Sequence, residues 1–293
     1  MFKGLSAFPL TSASADGVVD TDALQRLIAR LVPYPVASIG LLGSTGTYAY
    51  LTRAERRRAV AAAVEVLAGK VPLIVGVGAM RTDEAVALAQ DAAAEGADAV
   101  LMAPVSYTPL TQEEAFQHYR AVTEAAGLPM CVYNNPGTTH FTFSEELVQR
   151  LAEVDGIAAV KMPLPADGDF AGESARLGRD GFEIGYSADW GIADALLAGA
   201  GSFYSAVAGT LPKQVTALSS AALASDEAAA RAEDDKLVEL WTLCKARGSV
   251  RVMHAAATQM GLINTPLPLP LLPLETSEQD ALAAILEQID ATV

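Results

Sequence analysis

The sequence contains little cysteine and little histidine, and this scarcity bears on redox and metal chemistry. Two cysteines, Cys131 and Cys244, and three histidines occur among 293 residues. Cys131 lies in an apolar, strand-like run and Cys244 in a helical segment, so we expect no structural disulfide and a reducing compartment such as the cytoplasm. The histidines, His118, His140 and His254, are scattered and no zinc-binding spacing is present. We therefore expect no metal site.

Basic residues and long apolar runs are also scarce. The 20 lysines and arginines are outnumbered by 35 aspartates and glutamates, which gives a formal charge of -15. Such a field repels nucleic acid and anionic membranes, so neither is an expected partner. No uninterrupted apolar run could span a bilayer, and Met1–Gly4 lacks the apolar core of a signal peptide. An anionic substrate is compatible with this net charge only if hydrogen-bond donors and helix N-termini make its binding site locally attractive.

Apolar residues are abundant, and they form short runs that alternate with longer amphipathic stretches. Hydrophobic residues make up 51% of the chain and charged residues 19%, as in a globular protein with a large core. Eight apolar runs predict buried strands: Leu5–Pro9, Val36–Leu42, Leu73–Val77, Ala99–Ala103, Met130–Tyr133, Ile157–Met162, Phe182–Gly185 and Gly201–Ala206. A helical pattern follows each strand: Thr21–Leu31, Arg53–Ala68, Thr82–Glu95, Thr111–Ala126, Ser144–Glu153, Asp169–Leu177, Gly191–Ala198 and Pro212–Ala224.

This alternation predicts a parallel sheet with right-handed crossovers. Eight units in this length favour an α/β fold of the closed (β/α)₈ type, the TIM barrel, with a doubly wound open sheet as the alternative. Three further helical patterns follow, at Asp226–Arg247, Val250–Met260 and Thr276–Ile289. We expect a catalytic barrel over residues 1–224 and a C-terminal helical extension, residues 225–293, packed on it.

Lys161 is a charged residue embedded in apolar sequence at the end of the sixth predicted strand. In a TIM barrel, catalytic residues come from the carboxyl ends of the strands and the loops that follow them. A lysine amine attacks a ketone only when it is unprotonated, and burial in an apolar barrel mouth favours that form. The alternative is a lysine that extends to solvent or pairs with an acid, and this residue alone does not separate the two.

Two other strand ends carry polar residues. Gly43-Ser44-Thr45-Gly46 combines small residues, two hydroxyls and backbone N–H groups in one turn, which suits a carboxylate. Tyr133, at the end of the fifth predicted strand, would place a phenol in the barrel mouth as a proton carrier. Each has a plain structural alternative, a βα loop for the turn and a core or rim residue for the tyrosine.

Together these segments resemble the dihydrodipicolinate synthase / N-acetylneuraminate lyase family of pyruvate-dependent class I aldolases. The resemblance runs from Phe2 to about Gly261 and rests on Gly43-Ser44-Thr45-Gly46 with Leu51-Thr52, Tyr133-Asn134-Asn135-Pro136, and Val160-Lys161. It implies a barrel enzyme, a carbon–carbon lyase, that joins pyruvate or a related 2-oxo acid to an aldehyde or cleaves a 2-oxo sugar acid. It further implies a covalent imine without a cofactor, small-molecule substrates, and a homo-oligomer, commonly a homotetramer.

The resemblance also implies roles for individual residues. Lys161 matches the lysine that forms the Schiff base, and Ser44 and Thr45 match the hydroxyls that hold the carboxylate and relay protons. Tyr133 matches the tyrosine that moves protons during imine formation. A further tyrosine, supplied in many members by a neighbouring subunit, corresponds to Tyr107, although the sequence around it departs from the family pattern.

The departures from the family pattern fall at positions that face the second substrate. Thr138 stands where synthases of the family usually carry an arginine that binds the carboxylate of the aldehyde, and Thr47 stands where a glutamate is common. After the seventh strand, Asp189 and Tyr186 become candidates for binding a hydroxylated acceptor, with Trp190 shaping the site. We therefore expect enamine chemistry on a different second substrate.

Other functions remain open at this point. One is authentic 4-hydroxy-tetrahydrodipicolinate synthase activity in lysine biosynthesis, with another cation replacing the arginine. Another is a phosphate-binding barrel isomerase or lyase that uses Gly199-Ala200-Gly201-Ser202 and Gly209 near the eighth strand. A third is a barrel that has lost catalysis and senses a 2-oxo acid. Lys161 argues against the phosphate-binding enzyme, which has no need of an activated lysine at the end of the sixth strand. The presence of Lys161, Tyr133, Ser44 and Thr45 together argues against the sensor.

Overall fold

The backbone forms a closed barrel of eight parallel strands in a computed structural model that describes residues 1–291. The strands are β1 Gly4–Ala7, β2 Ser38–Leu41, β3 Leu73–Gly76, β4 Ala99–Met102, β5 Met130–Tyr133, β6 Ile157–Met162, β7 Glu183–Tyr186 and β8 Ser202–Ser205. They pair in chain order, and β8 closes the barrel by pairing with β1. Each overlaps its predicted apolar run, although β1 begins and β7 ends one residue outside it. The closed barrel is therefore confirmed, and the open doubly wound sheet is wrong.

Helices surround the barrel and continue beyond it. They are α1 Thr21–Ala29, α2 Arg53–Leu67, α3 Thr82–Glu95, α4 Gln112–Ala126, α5 Pro136–Thr139, α6 Glu145–Leu151, α7 Phe170–Leu177, α8 Ile192–Leu197, α9 Pro212–Leu223, α10 Glu227–Asp235, α11 Val238–Arg247, α12 Ser249–Gln259 and α13 Thr276–Gln288. Within residues 1–291, no helix combines the length and the apolar character needed to cross a bilayer.

Two apolar clusters follow from the alternation of side chains along each strand. The larger one fills the space between the strands and the helices. The smaller one fills the barrel interior and consists of Phe2, Phe8, Ile74, Ala99, Leu101, Ala103, Cys131, Tyr133, Ala159 and Tyr204. The interior residues of β5 and β6 alternate with residues that face the helices. This alternation decides which side chains reach the barrel mouth.

Local signals set several helix starts. Thr52 is the N-cap of α2, because its hydroxyl accepts a hydrogen bond from the Glu55 amide at 3.3 Å. Glu55 does not complete the capping box, because its carboxylate accepts from the Val19 amide at 2.7 Å instead. At α4 both halves of a capping box form, between Thr111 and Glu114.

The C-terminal region differs from prediction in one helix. The pattern at 226–247 predicts a single helix, whereas the chain forms α10 and α11 with a break at Lys236 and Leu237. Asp234 and Asp235 lie in the last turn of α10, where the partial negative charge of the helix C-terminus makes acidic side chains unfavourable. Asp234 instead accepts a hydrogen bond at 2.8 Å from the Trp241 indole in the next helix. The boundary at residue 224 between the barrel and the C-terminal extension stays a prediction. The last two residues of that extension, 292 and 293, lie outside the described residues.

Candidate active site

Lys161 lies on the barrel side of β6 and is 6% exposed. Its Nζ lies 4.2 Å from the ring centroids of both Phe8 and Tyr133 and 5.7 Å from that of Tyr204. Among residues 1–291, no carboxylate forms an ion pair with this amine and no side chain accepts a hydrogen bond from it. The amine is therefore enclosed by aromatic faces and makes no ion pair within the described residues.

Glycines make room for the aromatic rings around the amine. A Cβ on Gly40 or on Gly43 would lie 2.2 Å or 2.7 Å from atoms of the Phe8 ring. A Cβ on Gly185 would lie 2.5 Å from Cε2 of Tyr204. Because such contacts are too short for any real side chain, glycine at these three positions lets the two rings sit inside the barrel.

The Tyr133 hydroxyl lies between two polar side chains. Its Oη is 3.2 Å from Ser44 Oγ and accepts a hydrogen bond from Asn135 Nδ2 at 2.8 Å. Because Asn135 occupies an acceptor position on the phenol, the Tyr133 proton is available to Ser44. Tyr133 and Lys161 are also partners in the register of β5 and β6. The predicted lysine, tyrosine and serine therefore meet at one end of the barrel.

The turn after β2 presents hydroxyl and amide groups. The Thr47 amide donates to the Ser44 carbonyl at 3.1 Å, and Thr47 has a left-handed backbone with a φ of 51°. Thr45 is buried, and within the described chain the amides of Thr45 and Gly46 make no hydrogen bond. A Cβ on Gly46 would lie 2.9 Å from Thr11 Oγ1. This turn therefore offers free N–H donors and two hydroxyls where the sequence predicted a carboxylate site.

Two predicted substrate contacts lie outside this group. Thr138 is exposed on the short helix α5, and its hydroxyl donates to the Asn135 carbonyl at 3.3 Å. Tyr107 is 94% exposed, in the loop that follows β4, and makes no contact with the barrel mouth of its own chain.

The structure corrects the prediction for Tyr186. Because Gly185 faces the barrel interior, its neighbour Tyr186 faces the helices. Its ring packs edge-to-face on Phe170 of α7 with centroids 4.9 Å apart, and its hydroxyl donates to the Phe170 carbonyl at 3.4 Å. Tyr186 has no exposed surface and lies on the helix side of the sheet, so it does not contact the second substrate.

The prediction for Asp189 is corrected as well. Its carboxylate accepts hydrogen bonds from the Ser205 hydroxyl and from the amides of Ala206 and Val207, the last two at 3.2 Å and 3.3 Å. Burial raises the pKa of Asp189, and these hydrogen bonds oppose that rise. The carboxylate joins the loop after β7 to the loop after β8 and has no free oxygen for a substrate. Trp190, beside it, is half-buried and lies 5.6 Å from the ammonium of Lys245 on α11.

Arg56 is a buried residue near the mouth that sequence analysis missed. It donates to the carbonyls of Gly76 at 3.0 Å and Gly78 at 3.2 Å, and its guanidinium lies 5.0 Å from the centroid of the Tyr48 ring. Burial lowers the pKa of Arg56 to about 10 and raises that of Tyr48 to about 12. Helical spacing to the buried Ala59 and Val60 on α2 could have identified it.

The described residues contain no group of three or more histidine, cysteine or acidic side chains that could hold a metal ion. A closed (β/α)₈ barrel with a lysine, a tyrosine and hydroxyl side chains gathered at its mouth is typical of the barrel lyases that react through lysine.

Comparison with known proteins gives the family. A model of the dihydrodipicolinate synthetase family matches residues 1–289. A 4-hydroxy-tetrahydrodipicolinate synthase of Alcanivorax borkumensis is 33% identical over 291 residues, which cover 98% of both chains. The crystal structure of a dihydrodipicolinate synthase from Agrobacterium tumefaciens superposes with a TM-score of 0.96 at 55% identity and covers 98% of both chains. A chloride-inhibited dihydrodipicolinate synthase from Acinetobacter baumannii, complexed with pyruvate, gives a TM-score of 0.91 at 30% identity over 99% of both chains.

The chain therefore belongs to the dihydrodipicolinate synthetase family. It is an enzyme, a lyase of that family, and the phosphate-binding and sensor alternatives are set aside.

Proposed function

We propose that Lys161 forms a Schiff base with the ketone of a 2-oxo acid such as pyruvate, and that the resulting enamine joins an aldehyde or is released by cleavage of a longer 2-oxo acid. The observation that carries this proposal is an amine enclosed by Phe8, Tyr133 and Tyr204 with no acidic partner in the described chain. In imine formation the C=N bond replaces the C=O bond, and the carbonyl oxygen leaves as water after accepting protons. The covalent imine makes any further cofactor unnecessary for this chemistry.

The neighbouring groups suit the other needs of this reaction. The free amides of Thr45 and Gly46 and the hydroxyls of Ser44 and Thr45 are donors for the 2-oxo carboxylate. Tyr133 Oη, which accepts from Asn135 and faces Ser44 Oγ, is placed to pass a proton to the departing oxygen and to take one back later.

The second substrate is a hydroxylated aldehyde, or the 2-oxo acid that it would form. Thr138 presents a hydroxyl where a charged partner for an aldehyde carboxylate would be needed. The alternative, 4-hydroxy-tetrahydrodipicolinate synthase activity, is favoured by the name of the Alcanivorax borkumensis relative. It would require another cation to bind the second carboxylate.

Borohydride trapping tests the Schiff base. Incubation with pyruvate and borohydride should add one pyruvate-derived mass per chain, on the peptide that contains Lys161. Lys161→Ala should abolish the adduct and the activity, and Lys161→Arg should too, because a guanidinium stays protonated and cannot add to a ketone. An adduct on another lysine, or none at all, would contradict the mechanism.

A paired assay separates the two candidate substrates. Pyruvate is supplied with aspartate semialdehyde in one series and with hydroxylated aldehydes in the other, and the products are identified by mass spectrometry. We expect the hydroxylated series to turn over faster. A kcat/KM above about 10⁴ M⁻¹s⁻¹ with the semialdehyde, typical of enzymes acting on their own substrates, would favour the synthase instead.

We also propose a cytoplasmic homo-oligomer, a tetramer by family resemblance, with small molecules as its substrates. Two buried free cysteines support a reducing compartment. Tyr107 and Met80, 94% and 67% exposed, are large apolar side chains of the kind that a partner subunit covers. Sedimentation velocity of the unmodified protein and of Tyr107→Ala tests this, and a monomer at micromolar concentration would contradict it.

A further inference from the structure

The Lys161 amine lies between two aromatic rings that come from opposite walls of the barrel. Phe8 follows β1 directly, and Tyr133 is the last residue of β5. In a closed barrel of eight strands in chain order, β1 and β5 are four strands apart in either direction, so they face each other across the interior. Nζ lies over both rings at 4.2 Å from each centroid, so the two centroids are separated by no more than twice that distance. The space between these two rings is called the Lys161 slot below.

The Phe8 wall of the slot is held in place by neighbouring backbone and side chains. The Phe8 ring is 2% exposed, and a Cβ on Gly40 would lie 2.2 Å from its Cζ atom and 2.3 Å and 2.5 Å from its two Cε atoms. A Cβ on Gly43 would lie 2.7 Å from Cδ1, and the Tyr204 ring packs edge-to-face on Phe8 with centroids 6.1 Å apart. Because the backbone of β2 lies directly against the ring, Phe8 has no room to move back from the amine.

The Tyr133 wall is held by hydrogen bonds. Its hydroxyl accepts from Asn135 Nδ2 at 2.8 Å and lies 3.2 Å from Ser44 Oγ. Tyr133 is 6% exposed, so its ring is also enclosed by the barrel. The slot therefore has two fixed walls, and widening it would disturb packing on one side or hydrogen bonds on the other.

The width of the slot suits a flat group at Nζ. Non-bonded carbon atoms approach one another to about 3.5–4.0 Å, so a single layer of atoms at the position of Nζ already contacts both rings. In the proposed imine, C1, C2, C3 and Nζ are coplanar because C2 is trigonal. One carbon substituent on C3 can stay in this plane. Two substituents cannot, and the second would be driven against an aromatic ring.

We propose that Phe8 is a specificity-determining residue whose ring restricts the 2-oxo acid at Lys161 to those without a branch at C3. Pyruvate and 2-oxobutanoate meet this condition, and 3-methyl-2-oxobutanoate does not. The single chain that grows on C3 when the enamine of pyruvate adds to an aldehyde is the one substituent that the slot accepts. This proposal rests on Schiff-base formation at Lys161 and names the class of 2-oxo acid for that same site.

Borohydride trapping of these three acids tests the restriction in the unmodified protein. The rate of adduct formation on Lys161 is measured for each acid by mass spectrometry and divided by the rate for butylamine, which removes differences in the reactivity of the ketones. Pyruvate and 2-oxobutanoate should be trapped to a similar extent. The branched acid should be trapped less by roughly 5- to 150-fold, the factor that corresponds to overpacking a closely packed interior.

Two results with the unmodified protein would overturn the restriction. One is equal normalised trapping of pyruvate and 3-methyl-2-oxobutanoate, which would mean that the rings leave room for a branch. The other is exclusion of 2-oxobutanoate as strongly as the branched acid, which would mean that chain length rather than branching is limited.

Variants of Phe8 test whether this ring is responsible. Phe8→Ala removes the ring and should bring the normalised trapping of the branched acid close to that of pyruvate. Phe8→Leu keeps more of the volume and should relax the preference less, and it serves as the test if the cavity left by alanine prevents folding. An unchanged preference in the Phe8 variants that fold would contradict the proposal.

Phe2→Ala is the matched control. Phe2 is another buried phenylalanine of the barrel interior, but among the described residues its ring is not one of those over the Lys161 amine. Its removal should leave the preference among the three acids unchanged. If Phe2→Ala relaxes the preference as much as the Phe8 variants do, general loosening of the barrel is the cause and the assignment to Phe8 is wrong.

The pyruvate measurement separates this proposal from the proposed function. A normal pyruvate adduct on Lys161 with no discrimination against the branched acid means that the restriction is wrong and the Schiff base is right. Absence of any pyruvate adduct in the unmodified protein means that the proposed function is wrong, and the restriction falls with it.

Discussion

The end of the barrel formed by β2, β5 and β6 and the end formed by β7 and β8 use their polar groups differently. At the first, the amides of Thr45 and Gly46 make no hydrogen bond within the described chain, the Lys161 amine makes no ion pair there, and the Ser44 hydroxyl is bonded only to the Tyr133 hydroxyl. At the second, Asp189 and Ser205 satisfy each other and the backbone around them. Polar residues follow strands in both regions, yet only the first leaves donors and acceptors for a ligand.

The difference arises from strand pleating and from the C-terminal helices. Tyr133 and Lys161 fall on the barrel side of their strands, whereas Tyr186 falls on the helix side. The loop after β7 is also covered, since Lys245 of α11 lies over the Trp190 ring. The β7–β8 region therefore holds the barrel to its C-terminal helices, and the β2–β5–β6 region is left for chemistry.

Tyr133→Phe tests the β2–β5–β6 region and should have the largest effect. The variant keeps the ring beside Lys161 and removes the oxygen that contacts Ser44 and Asn135. We expect kcat to fall roughly 10²- to 10⁴-fold, the usual range for a general acid–base group, with pyruvate binding largely kept. Steady-state kinetics and the concentration dependence of borohydride trapping measure the two effects.

Tyr204→Phe is the control for this prediction. Tyr204 is another tyrosine of the barrel interior, and its hydroxyl lies 3.5 Å from Cys131 Sγ rather than near Ser44. Turnover should change far less than in Tyr133→Phe. Similar losses in both variants would mean that phenol removal acts through packing, and the proton role of Tyr133 would be wrong.

Thr138→Arg sharpens the account of the second substrate. A carboxylate on the aldehyde needs a charge-assisted hydrogen bond, which contributes about 1.5–3 kcal/mol and corresponds to a factor of roughly 10 to 150. The variant should raise kcat/KM for aspartate semialdehyde by up to that factor and leave pyruvate trapping unchanged. If the unmodified protein already acts efficiently on the semialdehyde, the variant will bring little gain, and Thr138 does not decide specificity.

Asp189→Ala tests the β7–β8 region. The substitution leaves the Ser205 hydroxyl and the amides of Ala206 and Val207 without their acceptor. We expect a loss of about 2–4 kcal/mol in the free energy of unfolding, seen as a fall of several degrees in Tm. Asp189→Asn keeps one acceptor oxygen and should lose less. An unchanged Tm with an altered preference among aldehydes would instead return Asp189 to the substrate site.

The fold was predictable because every strand is an apolar run bounded by turns, and eight such units leave little choice of architecture. Lys161 was identifiable as a candidate, since a charge inside an apolar strand is unusual, but its sequence alone left open whether the amine would be buried or would extend to solvent. Phe8 was not, because its position depends on the missing side chains of Gly40 and Gly43 in another strand. Asp189 was misassigned because a loop sequence does not reveal which neighbouring loop will supply its hydrogen bonds.

Tyr186→Phe should have the smallest effect. It directly tests the claim that the pleat of β7 turns Tyr186 toward the helices and away from the barrel mouth. The hydroxyl donates to the Phe170 carbonyl at 3.4 Å, a long hydrogen bond, and the ring contact with Phe170 is kept. We expect a cost below about 1 kcal/mol in the free energy of unfolding and no change in kcat/KM for any aldehyde, because the ring faces the helices. Urea unfolding and the paired aldehyde assay measure these quantities. A loss of kcat/KM confined to hydroxylated aldehydes would place the Tyr186 hydroxyl at the barrel mouth. The contrast between the β2–β5–β6 region and the β7–β8 region would then be wrong.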